Sequence, residues 1–202
     1  MAYRNFKFID LETQFGIIQT TDSIFSLPIV LIEPTAHLLE NIKIAEDSPL
    51  TTEKAVSEGL VYPILQEIRV RNRAFIELFS GENIDGDKTK GLNGECDYII
   101  AKAPRAVELK APILCVTEAK RGDIENPRSL SQAAAQLVGA TYFNQKQGHA
   151  TDVIFGACTS GFSWVFMKLE GKTLTIDTHR FSIRQLPELL GVLQNIIDLN
   201  RN

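Results

Sequence analysis

Three residues in the middle of the chain have types and spacing suited to chemistry. Asp97 lies in Gly94-Glu95-Cys96-Asp97-Tyr98-Ile99-Ile100, and Glu118 and Lys120 lie in Val116-Thr117-Glu118-Ala119-Lys120. In an extended strand Leu114, Val116, Glu118 and Lys120 share one face, and Ile113, Cys115, Thr117 and Ala119 share the other. Both faces are apolar until the strand's end, the pattern of a central strand covered on both sides. A carboxylate and an ammonium placed there cost desolvation unless they pair or coordinate something. If the strand holding Asp97 pairs with this one as an antiparallel hairpin, its start meets the other's end, and Asp97 faces Glu118 and Lys120. Two such carboxylates repel, and each has a raised pKa unless a cation sits between them. A hard divalent ion suits oxygen ligands of this kind, with Mg²⁺ expected and Mn²⁺ as its substitute. Lys120 then orients a metal-activated water or stabilises charge developing on phosphorus, so the three residues suit metal-assisted hydrolysis of a phosphodiester. Taken singly they have plainer roles: Glu118 and Lys120 as a strand-end ion pair, and Asp97 as a turn acceptor.

The elements that must position these residues follow from periodicity and punctuation. Thr51 and Thr52 are candidate N-caps for a first core helix carrying Ala55, Leu60, Ile64, Leu65 and Ile68 at helical spacing. Phe75 to Phe79 alternates as a strand does, and the Asp-, Asn-, Gly- and Lys-rich stretch from Gly81 to Gly94 is expected to be a turn. Strands follow over Glu95 to Ala101 and Ala111 to Lys120, joined by a polar hairpin connection from Lys102 to Lys110. Asn126-Pro127 and Ser129 introduce a second helix, rich in small residues that let it lie close on a sheet. Val153 to Ala157, Phe162 to Leu169 and Thr173 to Ile176 are further strand candidates, and a leucine-striped helix from Leu186 to Ile197 closes the chain. The expectation is an α/β domain, in the order helix, three strands, helix, strand, with a mixed central sheet flanked by helices. Residues 51–202 form the main domain. Residues 1–50, with apolar stretches at Phe15 to Ile18 and Ile24 to Ile32 and a helical pattern through Leu38, Leu39, Ile42 and Ile44, are expected to be an N-terminal addition packed on it.

Composition narrows the class. The 202 residues are 44% hydrophobic, enough for a full core in one domain. The start shows neither a signal nor a transit pattern, and no apolar run approaches a membrane span. Cys96, Cys115 and Cys158 are an odd number at wide spacings, which argues against a disulfide framework or zinc site and for a reducing cytoplasm. His37, His149 and His179 are too scattered to form a metal cluster. A net charge of −4 gives no global attraction to phosphate backbones, so any polyanion contact has to be local. The candidates are Arg69, Arg71, Arg73, Lys88, Lys90, Arg121 and Arg128. Trp164 reads as core or interface before it reads as a base-stacking platform, and the C-terminal stripe reads as core before a homodimer contact.

Asp97 and the Glu118-Ala119-Lys120 triplet, followed by Gln132 and Gln136 on the next helix, resemble the PD-(D/E)XK, or restriction-endonuclease-like, superfamily. The resemblance covers roughly residues 55–168, and Cys96 stands where the family name has proline. It implies a restriction-endonuclease-like core and a nuclease, with DNA as the expected nucleic-acid substrate. Asp97 and Glu118 are then metal ligands and Lys120 the catalytic lysine. It also implies an acidic residue from the first helix, Glu58 or alternatively Glu67. Gln132 and Gln136 would contact the DNA backbone or hold Lys120; on their own they are a polar stripe at i and i+4. The competing expectation is a non-catalytic scaffold or interaction protein that keeps the fold and a vestigial acidic cluster, because fold does not fix function.

Overall fold

A computed structural model describes residues 3–26 and 28–201. Leu27, inside the second N-terminal apolar stretch, and the terminal residues 1, 2 and 202 lie outside the described residues. In chain order the elements are α1 (Phe8–Phe15), β1 (Ile18–Asp22), α2 (Ala36–Glu46), α3 (Glu53–Val56), a π turn (Ser57–Val61) and α4 (Tyr62–Arg71). They continue with β2 (Glu77–Asp87), β3 (Leu92–Ala101), β4 (Ile113–Ala119), α5 (Pro127–Lys146), β5 (Val153–Thr159), β6 (Ser163–Glu170), β7 (Thr173–Asp177), β8 (Phe181–Ser182) and α6 (Leu186–Leu199). No helix among the described residues is long and apolar enough to cross a membrane.

The strands form one mixed sheet in the order β1-β7-β6-β5-β4-β3-β2, with β8 added to β6. The pair β3–β4 is an antiparallel hairpin, β4 and β5 run parallel, and α5 connects them. Helices cover both faces. On one face the π turn, α4 and α6 bury Leu60, Ile64, Leu65, Leu189, Leu193 and Ile197 against Tyr98, Cys115, Phe155 and Phe166. On the other, α1 and α5 bury Phe15, Ala134, Leu137 and Val138 against Ile99, Val116, Ile154 and Val165. β4 is an interior strand between β5 and β3, and all seven of its residues are buried, as its two-sided apolar pattern requires. Trp164 is fully buried, and the stripe of α6 packs into this chain's own core. The segment before residue 51 contributes β1, which pairs in parallel with β7 and so forms one edge of the main sheet.

Two local expectations change. The stretch from Gly81 to Gly94 is not an extended turn: β2 runs on to Asp87, β3 starts at Leu92, and only Lys88–Lys90 turns between them. Tertiary contact overrides the turn composition here. Ile84 and Leu92 are fully buried, and the Tyr3 hydroxyl donates to the Ile84 carbonyl at 2.7 Å. Gly86 also lies so close to α5 that a Cβ there would stand 2.5 Å from the Gly139 carbonyl oxygen. The second change is in β4. The strict alternation holds from Cys115 onward but fails at Leu114, because the β3–β4 register slips between Ile100↔Cys115 and Ala101↔Ile113. The extra residue of this bulge turns Leu114 to the α4/α6 face and leaves Ile113 beside Val116 on the α5 face.

α5 carries its boundary in sequence. The Asn126 side chain accepts from the Arg128 N–H at 2.9 Å and Pro127 occupies the first turn, where its missing N–H costs nothing. Farther along, buried Asn144 fixes the start of β4, accepting from the Ile113 N–H at 2.7 Å and donating to the Ile113 carbonyl at 2.9 Å. These anchors set the helix against the end of β4.

Candidate functional site

The β3–β4 ladder brings Asp97 next to Glu118. Its last paired residues are Tyr98 and Thr117, and beyond them the strands part. The Asp97 carboxylate fills the opening, with Oδ2 accepting from the Ala119 N–H at 2.7 Å. A side chain thus takes the place of a backbone acceptor at the end of the ladder. β4 continues beside β5, where the Lys120 N–H donates to the Thr159 carbonyl at 2.8 Å.

Glu118 is only 3% exposed, and its carboxylate is held by three donors. Lys120 Nζ reaches Oε1 at 2.5 Å, Gln132 Nε2 reaches the same oxygen, and Gln136 Nε2 reaches Oε2 at 2.5 Å. The two glutamines sit one helical turn apart, so α5 presents both amides to one carboxylate. They hold Glu118, which in turn holds Lys120. Gln136 Oε1 is buried with no hydrogen-bond partner among the described residues.

The electrostatics follow from this crowding. Burial, then the charge of Glu118, raises the Asp97 carboxyl from 3.8 to about 7. Burial also pushes Glu118 up, opposed by Lys120 and Gln136. For Lys120 burial works against the charged form, but Glu118 outweighs it and holds the ammonium above its usual value. Both carboxyls are therefore biased toward their neutral forms, a bias that the one lysine opposes at Glu118.

Asp97 opens on a cleft of about 340 Å³ between β2, β3 and the α3 end of the first core helix, lined also by Glu53, Ser57, Glu58 and Glu95. Glu58 belongs to the π turn; its side chain is 67% exposed and pairs with Lys54 at 3.7 Å. Glu67 points elsewhere: it is buried, accepts from Thr35 at 2.8 Å and is bridged by Arg71 at 2.6 Å. The helical carboxylate whose charge acts on Asp97, Glu118 and Lys120 is Glu53, and its Oε2 accepts from the Arg121 N–H at 3.2 Å. Sequence reasoning misses Glu53 because an acid after the Thr52 cap is an ordinary first-turn residue. The signal that could have found it is its place at the end of the helix that also carries Glu58.

The donor set suits a hard divalent cation in kind: carboxylate oxygens crowded at a strand end and an open cleft beside Asp97. Asp97 Oδ2 is committed to the Ala119 N–H, and Glu118 is committed to three donors. Among the described residues no cluster of three or more His, Cys, Asp or Glu side chains is spaced to hold a metal. A cation here would take its ligands from Asp97, Glu118 and water.

No family model, curated protein or solved structure matches the chain.

Proposed function

We propose that the chain is a Mg²⁺-dependent nuclease that hydrolyses phosphodiester bonds of DNA, with Asp97, Glu118 and Lys120 at its centre. The observation that carries this reading is the strand-end assembly itself: a buried Glu118 gripped by Lys120, Gln132 and Gln136, beside an Asp97 whose carboxyl is raised to about 7 at the mouth of a cleft. The order α4, β2, β3, β4, α5, β5 supports a restriction-endonuclease-like core. Asp97 and Glu118 would hold Mg²⁺, which supplies Lewis-acid polarisation of a phosphate oxygen and lowers the pKa of a bound water. Lys120, charged at neutral pH, stands one pleat from Glu118 and can orient the attacking water or stabilise charge growing on the phosphoryl oxygens. Gln132 and Gln136 act as positioning residues, fixing the Glu118 carboxylate and through it the ammonium. Glu53 adds negative charge on the cleft side.

The test is nicking of supercoiled plasmid by the purified chain in Mg²⁺ and in Mn²⁺, beside Asp97→Asn and Lys120→Ala. Metal-dependent nicking that disappears in both variants, with folding intact, is the expected result. Wild type that leaves the plasmid intact under all conditions removes the nuclease reading. One observation favours a second reading, a non-catalytic scaffold with a nuclease-like fold: the three donors to Glu118 already satisfy much of its carboxylate without any cation.

A further inference from the structure

A second cavity lies around the N-terminal end of α5, where about 720 Å³ opens between residues 4–9 and residues 126–131. Its charged lining is Arg4, Lys7 and Arg128, and no carboxylate lines it. All three side chains are exposed, and none has a carboxylate within salt-bridge reach among the described residues. Of the other cations singled out in the sequence, Arg73 and Arg121 likewise have no salt bridge among the described residues, while four are paired. Arg69 is paired with Glu77, Arg71 with Glu67, Lys88 with Asp85 and Lys90 with Asp87. Asp10, the nearest acid in sequence, is turned back on the Lys7 N–H at 2.8 Å.

The cavity wall is built rather than loose. Tyr3 and Phe6 are 2% and 1% exposed, and between and after them Arg4 and Lys7 turn outward. The Tyr3 hydroxyl is bonded to the Ile84 carbonyl, and Ser131 Oγ donates to the Phe6 carbonyl at 2.9 Å. The backbone that carries the two cations is thereby pinned to β2 and to α5. Arg128 faces them from α5, one turn before Gln132, which grips Glu118. Four residues of helix rise about 6 Å, so Arg128 stands one turn from the residue that holds the acidic centre.

We infer that this cavity is a docking groove for the phosphate backbone of the DNA strand beyond the cleavage point. The inference rests on the nuclease reading for its substrate, and on the groove's charge for its location. A strand carries a phosphate about every 3.4 Å of duplex axis. The groove, one helical turn along α5 from the glutamine that grips Glu118, is placed to take a phosphate on the strand beyond the cleavage point. The arrangement also answers the charge problem of an acidic protein: its net −4 repels a polyanion at long range, while three cations around one groove give a local landing point.

The experiment is fluorescence anisotropy of the full chain with a fluorescein-labelled DNA duplex of about two helical turns in EDTA, across a series of salt concentrations. Two unrelated duplex sequences and an RNA duplex of the first sequence are run beside it. The triple variant Arg4→Gln, Lys7→Gln, Arg128→Gln is compared with wild type and with Asp97→Asn, and circular dichroism checks the fold of each. The triple variant is expected to bind both DNA sequences at least about tenfold more weakly, with a salt slope shallower by about 3, close to one for each cation removed. Asp97→Asn is expected to keep the wild-type slope. The inference is overturned if the folded triple variant keeps wild-type affinity and slope, if wild type fails to bind DNA, or if it binds the RNA alone. The two readings fail separately. Wild type that binds through the groove but never nicks plasmid in Mg²⁺ or Mn²⁺ ends the nuclease reading and leaves the groove, whereas nicking unchanged in the triple variant ends the groove and leaves the nuclease.

Discussion

Asp97→Asn removes a charge from the centre while keeping the side chain's shape and an oxygen for the Ala119 N–H. In wild type, burial and the neighbouring Glu118 raise the Asp97 carboxyl from 3.8 to about 7. At about 1.36 kcal/mol for each tenfold change, the full displacement corresponds to about 4 kcal/mol against the ionised form. Asp97 and Glu118 share their titration, so we assign roughly half, about 2 kcal/mol, to the charge that the substitution removes. The sign follows from proton uptake. A carboxyl whose pKa is higher in the folded than in the unfolded state binds more protons when folded, so it lowers stability as pH rises from about 4 to about 7 and adds no slope beyond. Asparagine has no such dependence. In EDTA at pH 8 the variant is therefore expected to be the more stable protein, by about 2 kcal/mol, or roughly 4–8 °C in Tm for a chain of this size. The gap narrows toward pH 4. Urea denaturation followed by circular dichroism, at steps from pH 5 to pH 8, measures it. Mg²⁺ at pH 8 should raise the stability of wild type and leave the variant unchanged. A variant less stable than wild type at pH 8, or a gap that does not vary with pH, refutes the reasoning.

Three further outcomes follow from the same contacts. Gln136→Leu leaves Glu118 Oε2 without its buried donor and should cost about 1–3 kcal/mol of stability, read from the urea midpoint, together with any nuclease activity. An unchanged midpoint would show that the amide is not needed. Gly86→Ala drives a methyl against the Gly139 carbonyl oxygen, which as backbone cannot swing aside; a loss of about 1–3 kcal/mol in thermal unfolding is expected. Asn144→Ala strips both bonds from Ile113 and should destabilise by about 2–4 kcal/mol, with hydrogen exchange speeding up first at the Ile113 amide.

The centre is legible in the sequence because its signals are short-range. The two-sided apolar run of β4 announces a central strand, and the Asn126-Pro127 start of α5 places Gln132 and Gln136 one turn apart. The hairpin that brings Asp97 to Glu118 follows from the polar connection between two apolar runs. What is not legible depends on partners distant in sequence. The strand character of Gly81 to Gly94 comes from Tyr3 and α5 lying across it, and its composition alone says turn. The Leu114 bulge breaks a period-two pattern that no residue type marks. Glu53 is hidden for a different reason, since a first-turn acid has the same sequence signature whether it serves the helix dipole or a neighbouring charge cluster.

The parallel pairing of β1 with β7 sets the order in which the molecule can assemble. Ile18 finds its partner only at Thr173, so one border of the sheet stays open until nearly all of the chain is present. Closing so long a loop carries an entropic cost that must be met before the pairing returns anything, which favours early growth around the β2–β3–β4 hairpins. All five residues of β1 are exposed, so little buried surface holds the strand once it docks. The border laid down last should also be the first to open, and its transient release would bare a run of unpaired backbone along β7 to any neighbouring chain.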